Sequence, residues 1–252
     1  GRLFRVTPKG FNKGYKVPNH DYSSVDGLVA ALQNPNNSVR HIAFTELKKR
    51  GAAAKAGLQK LAGNGQPRQR ARALWLLAQI DGNLASTVKQ AAADKDENIR
   101  GMALRIARQH KVDVIPLVRE LAGDPSPVVR RECLIALRHN DNKDAPALWA
   151  KLANAHDGKD RWYLEALGLA ADKQENAFFD AWVKTAKLGT PAANDIIWRN
   201  RGTHGAKHLA DIILSKKTTA AEKPRYLRAM DFIPKSKEKD DALARIALGA
   251  LE

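Results

Sequence analysis

A repeat period of 30 residues is the feature that most constrains how this chain folds. Four columns of residues keep this period. They hold an arginine, an asparagine or aspartate six residues earlier, a small residue three residues later and an apolar residue further upstream. A fixed period of this length is typical of solenoids, in which each repeat is a small unit stacked on the next. The columns are Arg40, Arg70, Arg100 and Arg130; Asn34, Asn64, Asp94 and Asp124; Ala43, Ala73, Ala103 and Cys133; and Leu28, Leu58, Val88, Val118 and Leu148.

Each repeat is predicted to consist of two helices joined by a turn. In the first repeat, Val25–Leu32 is a short amphipathic stretch, and after the turn a second run of apolar residues keeps helical spacing. Ser38 is the predicted N-cap of this second helix, and Gly51 is its predicted C-terminal stop. The small residue in the second helix lets neighbouring helices approach closely. Cys133 is therefore predicted to be a buried apolar residue and not a nucleophile.

The repeated arginines are interpreted first as a structural ladder. An arginine early in the second helix can reach back to the preceding turn, and an Asn or Asp in that turn can cap backbone N–H groups. Because the pair recurs once per repeat, as a stacking contact should, a structural role is favoured over a binding role.

The columns that run through Asp94–Ala103 and Asp124–Cys133 resemble HEAT repeats of the short kind, which also occur in phycobilin-lyase-type proteins. The resemblance implies an all-α, right-handed superhelix of the HEAT/armadillo type, whose second helices line the concave face.

The two ends of the chain depart from the regular repeat. Residues 2–6 alternate polar and apolar as a strand does, and a basic linker follows. We therefore expect residues 1–20 to be a remnant strand and linker from a preceding domain. The solenoid is expected over residues 21–252, with regular repeats at about 21–140 and diverged helical pairs at 141–252.

Four of the five tryptophans lie in the diverged part of the chain. Tryptophan is readily buried, so these side chains are predicted mainly to fill the core between larger helices. An aromatic docking surface is the alternative interpretation. The four are Trp149, Trp162, Trp182 and Trp198.

A second resemblance covers nearly the whole chain and rests on Gly1–Gly10, Asp160–Gly168, Asp195–Arg201 and Pro224–Phe232. Together these segments are similar to the middle region of large bacterial PVC-type haem-binding proteins. In that family a β-propeller resembling sugar dehydrogenases precedes the HEAT repeats, and a cytochrome c-like domain with a CxxCH motif follows. The resemblance implies an exported redox protein, in the periplasm or otherwise outside the cytoplasm, of which this chain is the inter-domain segment. Haem c is expected only in a neighbouring domain, because the chain itself has no CxxCH.

Motifs for catalysis or metal binding are not found in the sequence. The single cysteine excludes an internal disulfide and a CxxC motif, and no phosphate-binding loop, GxSxG or HExxH occurs. His204 and His208 are four residues apart, but zinc normally needs three or four protein ligands. Two pairs of carboxylates have spacings common on solvated helices, and no catalysis is predicted for them. They are Glu120 with Asp124 and Asp157 with Asp160. No cofactor or metal site is predicted.

The net charge of +16 is concentrated near the start, where residues 1–60 hold 11 Lys/Arg and 3 Asp/Glu. A basic surface attracts polyanions or an acidic partner, although a well-solvated surface without a binding role is the preferred interpretation. Some HEAT-like proteins, including the alkylpurine DNA glycosylases, bind DNA in a positive concave groove, although no glycosylase motif is found here. The residues predicted to form such a groove are Lys48, Lys49 and Arg50 at the end of one second helix, and Arg68, Arg70 and Arg72 at the start of the next.

Three hypotheses for function follow, in order of preference. The first is a non-catalytic protein-interaction or scaffold module that binds other domains of its own polypeptide or a protein partner. The second is a nucleic-acid-binding solenoid that uses the basic groove. The third is an enzyme with a site in the concave face. No apolar run approaches the ~18–20 residues that cross a bilayer, so no transmembrane segment is predicted.

Overall fold

The computed structural model describes residues 4, 6–11, 14, 16, 18–80, 82 and 84–249. Within these residues the regular secondary structure is entirely helical, and the helices follow one another in stacked pairs. The predicted fold class, an all-α solenoid, is confirmed. The predicted strand at residues 2–6 falls largely on residues outside this set. The chain forms two compact units, Gly1–Leu84 and Ala85–Glu252.

The first unit is built from two helix pairs. Helix α1 (Val25–Leu32) packs against α2 (Asn37–Arg50), and α3 (Lys55–Asn64) packs against α4 (Pro67–Leu77). A short 3-10 turn at Gly51–Ala54 joins the pairs, and α1 also contacts α3. The first helices of successive pairs are therefore neighbours, as expected for stacked repeats.

The second unit arranges its helices in two layers. The helices are α5 (Leu84–Ala92), α6 (Glu97–Gln109), α7 (Ile115–Leu121), α8 (Pro127–Leu137), α9 (Ala145–Ala153), α10 (Arg161–Ala170), α11 (Glu175–Val183), α12 (Pro191–Arg199), α13 (Ala206–Leu214), α14 (Lys223–Ala229) and α15 (Lys237–Gly249). In one layer α7 contacts α9 and α9 contacts α11, while in the other α6, α8, α10, α12 and α14 contact one another in order. From α6 to α12, successive helices thus alternate between the two layers.

Three second helices of the regular repeats, α2, α6 and α8, begin at a side-chain cap. The Oδ1 atom of Asn36 accepts the backbone N–H of Ser38 at 2.8 Å, and Asp96 and Ser126 cap α6 and α8 in the same way. The predicted cap at Ser38 is wrong, because Ser38 is already the second residue of α2. Asn and Ser are equally good caps by type, so the extended backbone at Asn36 decides which residue acts.

Replacing Asn36 with alanine is expected to lower the free energy of unfolding by about 1 kcal/mol, because the first turn of α2 loses its hydrogen-bond acceptor. Ser38→Ala is the matched control, and we expect it to change stability by no more than about 0.5 kcal/mol. Chemical denaturation of both variants measures the difference. Equal effects at the two positions would contradict the assignment of the cap.

The column of small residues lies at the centre of the core. All four members are 0% exposed, which confirms their predicted burial. They are Ala43, Ala73, Ala103 and Cys133. Burial raises the pKa of the Cys133 thiol to about 12, so the thiol stays protonated and is a poor nucleophile. The upstream apolar column is less regular, since Val88 is only half-buried and Thr87 takes the buried position in α5.

Candidate functional site

The ladder arginines are tied to the backbone of the turn before their own helix. The Nη1 atom donates to the carbonyl oxygen six residues earlier in Arg40 (2.8 Å), Arg100 (3.0 Å) and Arg130 (2.7 Å). Arg70 donates to the carbonyl oxygen of Gly65 at 3.1 Å. Each arginine thereby closes its turn, as the structural interpretation of the ladder expects.

The turn residues of the ladder cap the backbone in three repeats. Oδ1 of Asn34, Asp94 and Asp124 accepts the backbone N–H two residues later at 2.9, 2.8 and 2.8 Å. Asn64 differs, because it is the last residue of α3 and lies before the turn.

One ladder arginine also joins two successive repeats. Nε and Nη2 of Arg100 donate to the two carboxylate oxygens of Asp124 at 2.6 and 2.8 Å. The two side chains are 16% and 6% exposed. The hydrogen bond from Arg100 is the main reason why the pKa of Asp124 lies below its ordinary value. The pair is a charged cross-link in the stack, and the sequence alone did not indicate that these two columns meet.

Arg40 lacks a corresponding cross-link. Its Nη1 is held by the turn like that of Arg100, yet it forms no ion pair with any residue that the structure describes. The sequence explains the difference. The residue 24 positions after Arg100 is Asp124, whereas the residue 24 positions after Arg40 is the neutral Asn64.

The six residues of the predicted basic groove do not converge on one site. Nη2 of Arg50 donates to the carbonyl oxygen of Ser23, directly before α1. Nη1 of Arg72 donates to the carbonyl oxygen of Leu32, the last residue of α1, at 3.1 Å. Because an α-helix rises by about 1.5 Å per residue, the carbonyl groups of Ser23 and Leu32 lie roughly 13 Å apart along α1. Lys48 and Lys49 share the end of α2 with Arg50, and Arg68 and Arg70 lie on α4 with Arg72.

The tryptophans of the diverged part divide into two classes. Trp149 and Trp182 are 3% and 1% exposed and fill the core, as predicted for all four. Trp162 is 75% exposed, so the prediction of a core role is wrong for this residue, and Trp198 is half-buried. The alternative, an aromatic surface, therefore describes these two side chains.

Three arginines surround the indole ring of Trp198. The guanidinium carbons of Arg225, Arg161 and Arg201 lie 4.4, 5.4 and 6.0 Å from a Trp198 ring centroid. Such contacts combine cation–π attraction with flat packing of the guanidinium group on the ring. Arg201 also lies 4.8 Å from the ring of Phe232, which is 55% exposed.

We call this set of side chains the arginine–aromatic surface. It consists of Arg161, Trp198, Arg201, Arg225 and Phe232, together with the exposed Trp162, which follows Arg161 in α10.

Arg201 is fixed in this surface without a carboxylate partner among the described residues. Its Nη1 donates to the backbone carbonyl oxygens of Trp198 and Asn200, both at 2.9 Å. Burial is the main cause that lowers its pKa, and the nearby charge of Arg199 adds to it. The guanidinium group remains charged, since arginine stays protonated at any ordinary pH. It is an oriented cation whose other N–H groups can bind a carboxylate.

The repeat phase contained a signal for this surface that the sequence reasoning missed. Asp160 is the N-cap of α10, as Ser126 is of α8, so the ladder position of α10 falls on Leu164 and not on Arg161. In this alignment Trp162 matches Val128 of α8, which is half-buried, and Asn98 of α6, which is exposed. A strict reading of the phase therefore places Trp162 away from the core.

His204 and His208 take up different roles. Nδ1 of His204 lies 2.9 Å from the carboxylate of Asp180, whereas the ring of His208 packs edge-on against Phe179. Burial lowers the pKa of His208. Both histidines line a cleft of about 620 Å³ whose lining has no serine, threonine or cysteine. In the part of the chain that the structure describes, no three His, Cys, Asp or Glu residues are grouped to hold a metal ion.

Three of the four candidate carboxylates serve as caps or ion-pair partners. Oδ1 of Asp157 accepts the backbone N–H groups of Lys159 and Asp160, and Oδ1 of Asp160 accepts that of Tyr163. Asp124 is occupied by Arg100, as described above. None of these contacts resembles two carboxylates facing a shared substrate.

Comparison with known proteins gives a family for part of the chain. The family model described as HEAT repeats matches residues 84–168. The chain contains a HEAT-like domain. The matched residues include the Arg100–Asp124 cross-link and Trp162, and they end within α10.

The other comparisons are less informative. The X-ray structure of YibA from Escherichia coli is similar at 20% identity, with 88% of this chain and 81% of that chain covered and a TM-score of 0.44. The search of curated proteins gave no match. Across the described residues, no helix has both the length and the apolar character needed to cross a membrane.

Proposed function

We propose that this chain is a non-catalytic protein-interaction module that binds a partner protein through the arginine–aromatic surface of its second unit. The observation that carries the proposal is the 75% exposure of Trp162, which follows Arg161, one of the three arginines that contact the ring of Trp198. Tryptophan and arginine are enriched among the residues that contribute most to binding at protein interfaces. HEAT repeats commonly mediate protein interactions, which agrees with this role.

The arginines of this surface are held in place before any partner binds. Nη2 of Arg225 donates to Asp195 at 2.6 Å, and Arg161 pairs with Glu165 at 2.5 Å. Side chains that are already ordered lose less conformational entropy on association, so more of the contact energy contributes to affinity. The surface therefore suits a partner that presents carboxylates next to apolar side chains.

Nucleic-acid binding through the predicted basic groove has weaker support. A phosphate groove needs its cations along one path, whereas Arg50 and Arg72 are anchored at opposite ends of α1. The cleft lined by His204 and His208 has no serine, threonine or cysteine to act as a nucleophile, so this cleft gives a catalytic role no support.

The cellular setting is a further part of the proposal and rests on the resemblance to PVC-type haem-binding proteins. In this proposal the module lies in the periplasm, between a propeller domain and a cytochrome c-like domain, and haem c belongs to the latter. The complete reading frame tests it directly. A frame without a propeller sequence upstream and a CxxCH downstream would contradict the redox setting while leaving the interaction module untouched.

Replacing Trp162 with alanine is expected to weaken partner binding about tenfold or more, because an interface tryptophan commonly contributes at least this much. The measurement is calorimetric titration with the segments encoded on either side of this chain, expressed separately. Val112→Ala is the control, since Val112 is also an exposed apolar side chain, at 40%, outside the surface. Equal affinities for Trp162→Ala and wild type, with a partner that binds wild type, would refute this surface as the docking site.

A further inference from the structure

Two arginines of the first unit converge on a single turn. Arg72, on α4, donates to the carbonyl oxygen of Leu32 at 3.1 Å, and Arg40, on α2, donates to that of Asn34 at 2.8 Å. The two carbonyl groups are only two residues apart, so both guanidinium groups lie at the C-terminal end of α1. Arg68 precedes Arg72 by one helical turn and shares its face of α4. We call Arg40, Arg68 and Arg72 the cationic cluster.

Arg40, Arg68 and Arg72 form no ion pair with a carboxylate among the described residues. Asp21 accepts hydrogen bonds from Ser23, and Glu46 pairs with Lys49 at 2.7 Å. Asp26 lies in the first turn of α1, at the opposite end of the helix from Leu32. The mutual repulsion of the three cations is visible in Arg72, whose pKa is lowered by burial first and then by the charges of Arg40 and Arg68.

The second unit shows which ligand this kind of arginine accepts. Arg100 is held by its own turn through Nη1, as Arg40 is, and binds both carboxylate oxygens of Asp124 through Nε and Nη2. The Nε and Nη2 atoms of Arg40 have no such partner in the described part of the chain. A carboxylate fits this edge of a guanidinium group in a bidentate manner, with two parallel hydrogen bonds.

We infer that the cationic cluster of Arg40, Arg68 and Arg72 binds an acidic segment of a partner protein, whose carboxylates take the place that Asp124 takes on Arg100. The inference rests on the proposed function, for which it names the chemistry of one partner segment and a second contact surface. A protein carboxylate is favoured over phosphate because the same protein already binds a carboxylate at the equivalent arginine edge.

The test uses the full chain and a short glutamate-rich peptide carrying a fluorophore, with binding measured by fluorescence anisotropy. Asn34→Asp is the principal variant, because Asp94 and Asp124 occupy the same column and keep the same turn hydrogen bond. The new carboxylate lies beside Arg40 and competes with the peptide. We expect Asn34→Asp and Arg72→Gln each to weaken peptide binding about fivefold.

Lys48→Gln is the charge-matched control, since it also removes one positive charge but lies at the other end of α2, and its effect should stay within about twofold. Asn34→Asp should leave the melting temperature equal or higher, because it relieves the repulsion in the cluster.

Unchanged peptide affinity in both cluster variants, or equal loss in Lys48→Gln, would overturn the inference. So would tighter binding of an oligonucleotide of the same net charge, which would indicate a phosphate site. None of these results bears on the Trp162 experiment, so the two proposals fail separately.

Discussion

Replacing Asp124 with asparagine is expected to lower the free energy of unfolding by about 2–3 kcal/mol. The variant removes a bidentate ion pair whose carboxylate is 6% exposed, and it leaves the Arg100 guanidinium without its counter-ion. Breaking a fully buried pair costs about 3–5 kcal/mol, and we reduce this range because Arg100 is 16% exposed and water can compensate part of the loss. Urea denaturation of the full chain measures the effect.

Asparagine is the informative replacement because it preserves the turn. Asn34 already shows that an amide oxygen accepts the backbone N–H two residues later at 2.9 Å. Asp124→Ala should therefore cost about 1 kcal/mol more than Asp124→Asn, because it also removes that acceptor. Equal stabilities of Asp124→Asn and wild type would show that the cross-link contributes nothing to the stack.

The same ion pair makes a prediction for acidic pH. The folded pKa of Asp124 is lower than its ordinary value of 3.8, so the folded state prefers the ionised carboxylate. The stabilisation is complete above pH 3.8 and is lost as the pH falls through the lower, folded pKa. The stability gap between wild type and Asp124→Asn should therefore be constant near neutral pH and close in stronger acid. A gap that widens on acidification would contradict this assignment.

Tyr163→Ala is expected to have the largest effect on stability, about 3–5 kcal/mol. The ring is 1% exposed, stacks on His156 with 6.0 Å between ring centroids, and lies 5.4 Å from the guanidinium carbon of Arg130. Its hydroxyl donates to the carbonyl oxygen of Leu152 at 2.8 Å. Removal of the side chain leaves a cavity where three successive helices of the stack meet.

Two further variants separate the parts of this effect. Tyr163→Phe keeps the ring and loses only the hydroxyl, so its cost should be about 1–2 kcal/mol. The neighbouring Trp162→Ala should change stability by about 0.5 kcal/mol or less, because its side chain is 75% exposed. Calorimetric melting of the three variants gives the order of their losses in stability. A large loss in Trp162→Ala would mean that its binding defect reflects unfolding and not a lost contact.

Most of the regular architecture could be predicted because it depends on relations within one repeat. Helix α1 has the predicted bounds, α2 ends at Arg50 before Gly51, and Cys133 is buried at its predicted place in the core. The bounds of α1 follow from helical spacing, the end of α2 from the positive φ that glycine adopts, and the burial of Cys133 from residue size. The repeat period shows each of these patterns several times along the chain. The N-cap at Asn36 was missed because neighbouring residues have the same capping preference.

The candidate sites were predicted only in part. Sequence reasoning named Trp162 and Trp198 as members of an aromatic surface only as the alternative, and it did not connect them with Arg201 or Arg225. It grouped Lys48 to Arg50 with Arg68 to Arg72 because both clusters are basic, whereas α1 separates their anchor points. Composition predicts the sign of the charge on a surface, but it does not predict the distances between the charged side chains.

The sequence by itself determined the fold class, the helix pairs and the residues that line the core, because these follow from a period that is written along one chain. Only the tertiary structure decided which columns meet across repeats. It placed Asp124 on Arg100, left Arg40 without a carboxylate among the described residues, and exposed Trp162 next to Arg161, one of the arginines around Trp198. The physical reason is that contacts between repeats depend on where each turn places the next helix. Small differences in turn length therefore decide which charged and aromatic side chains contact one another.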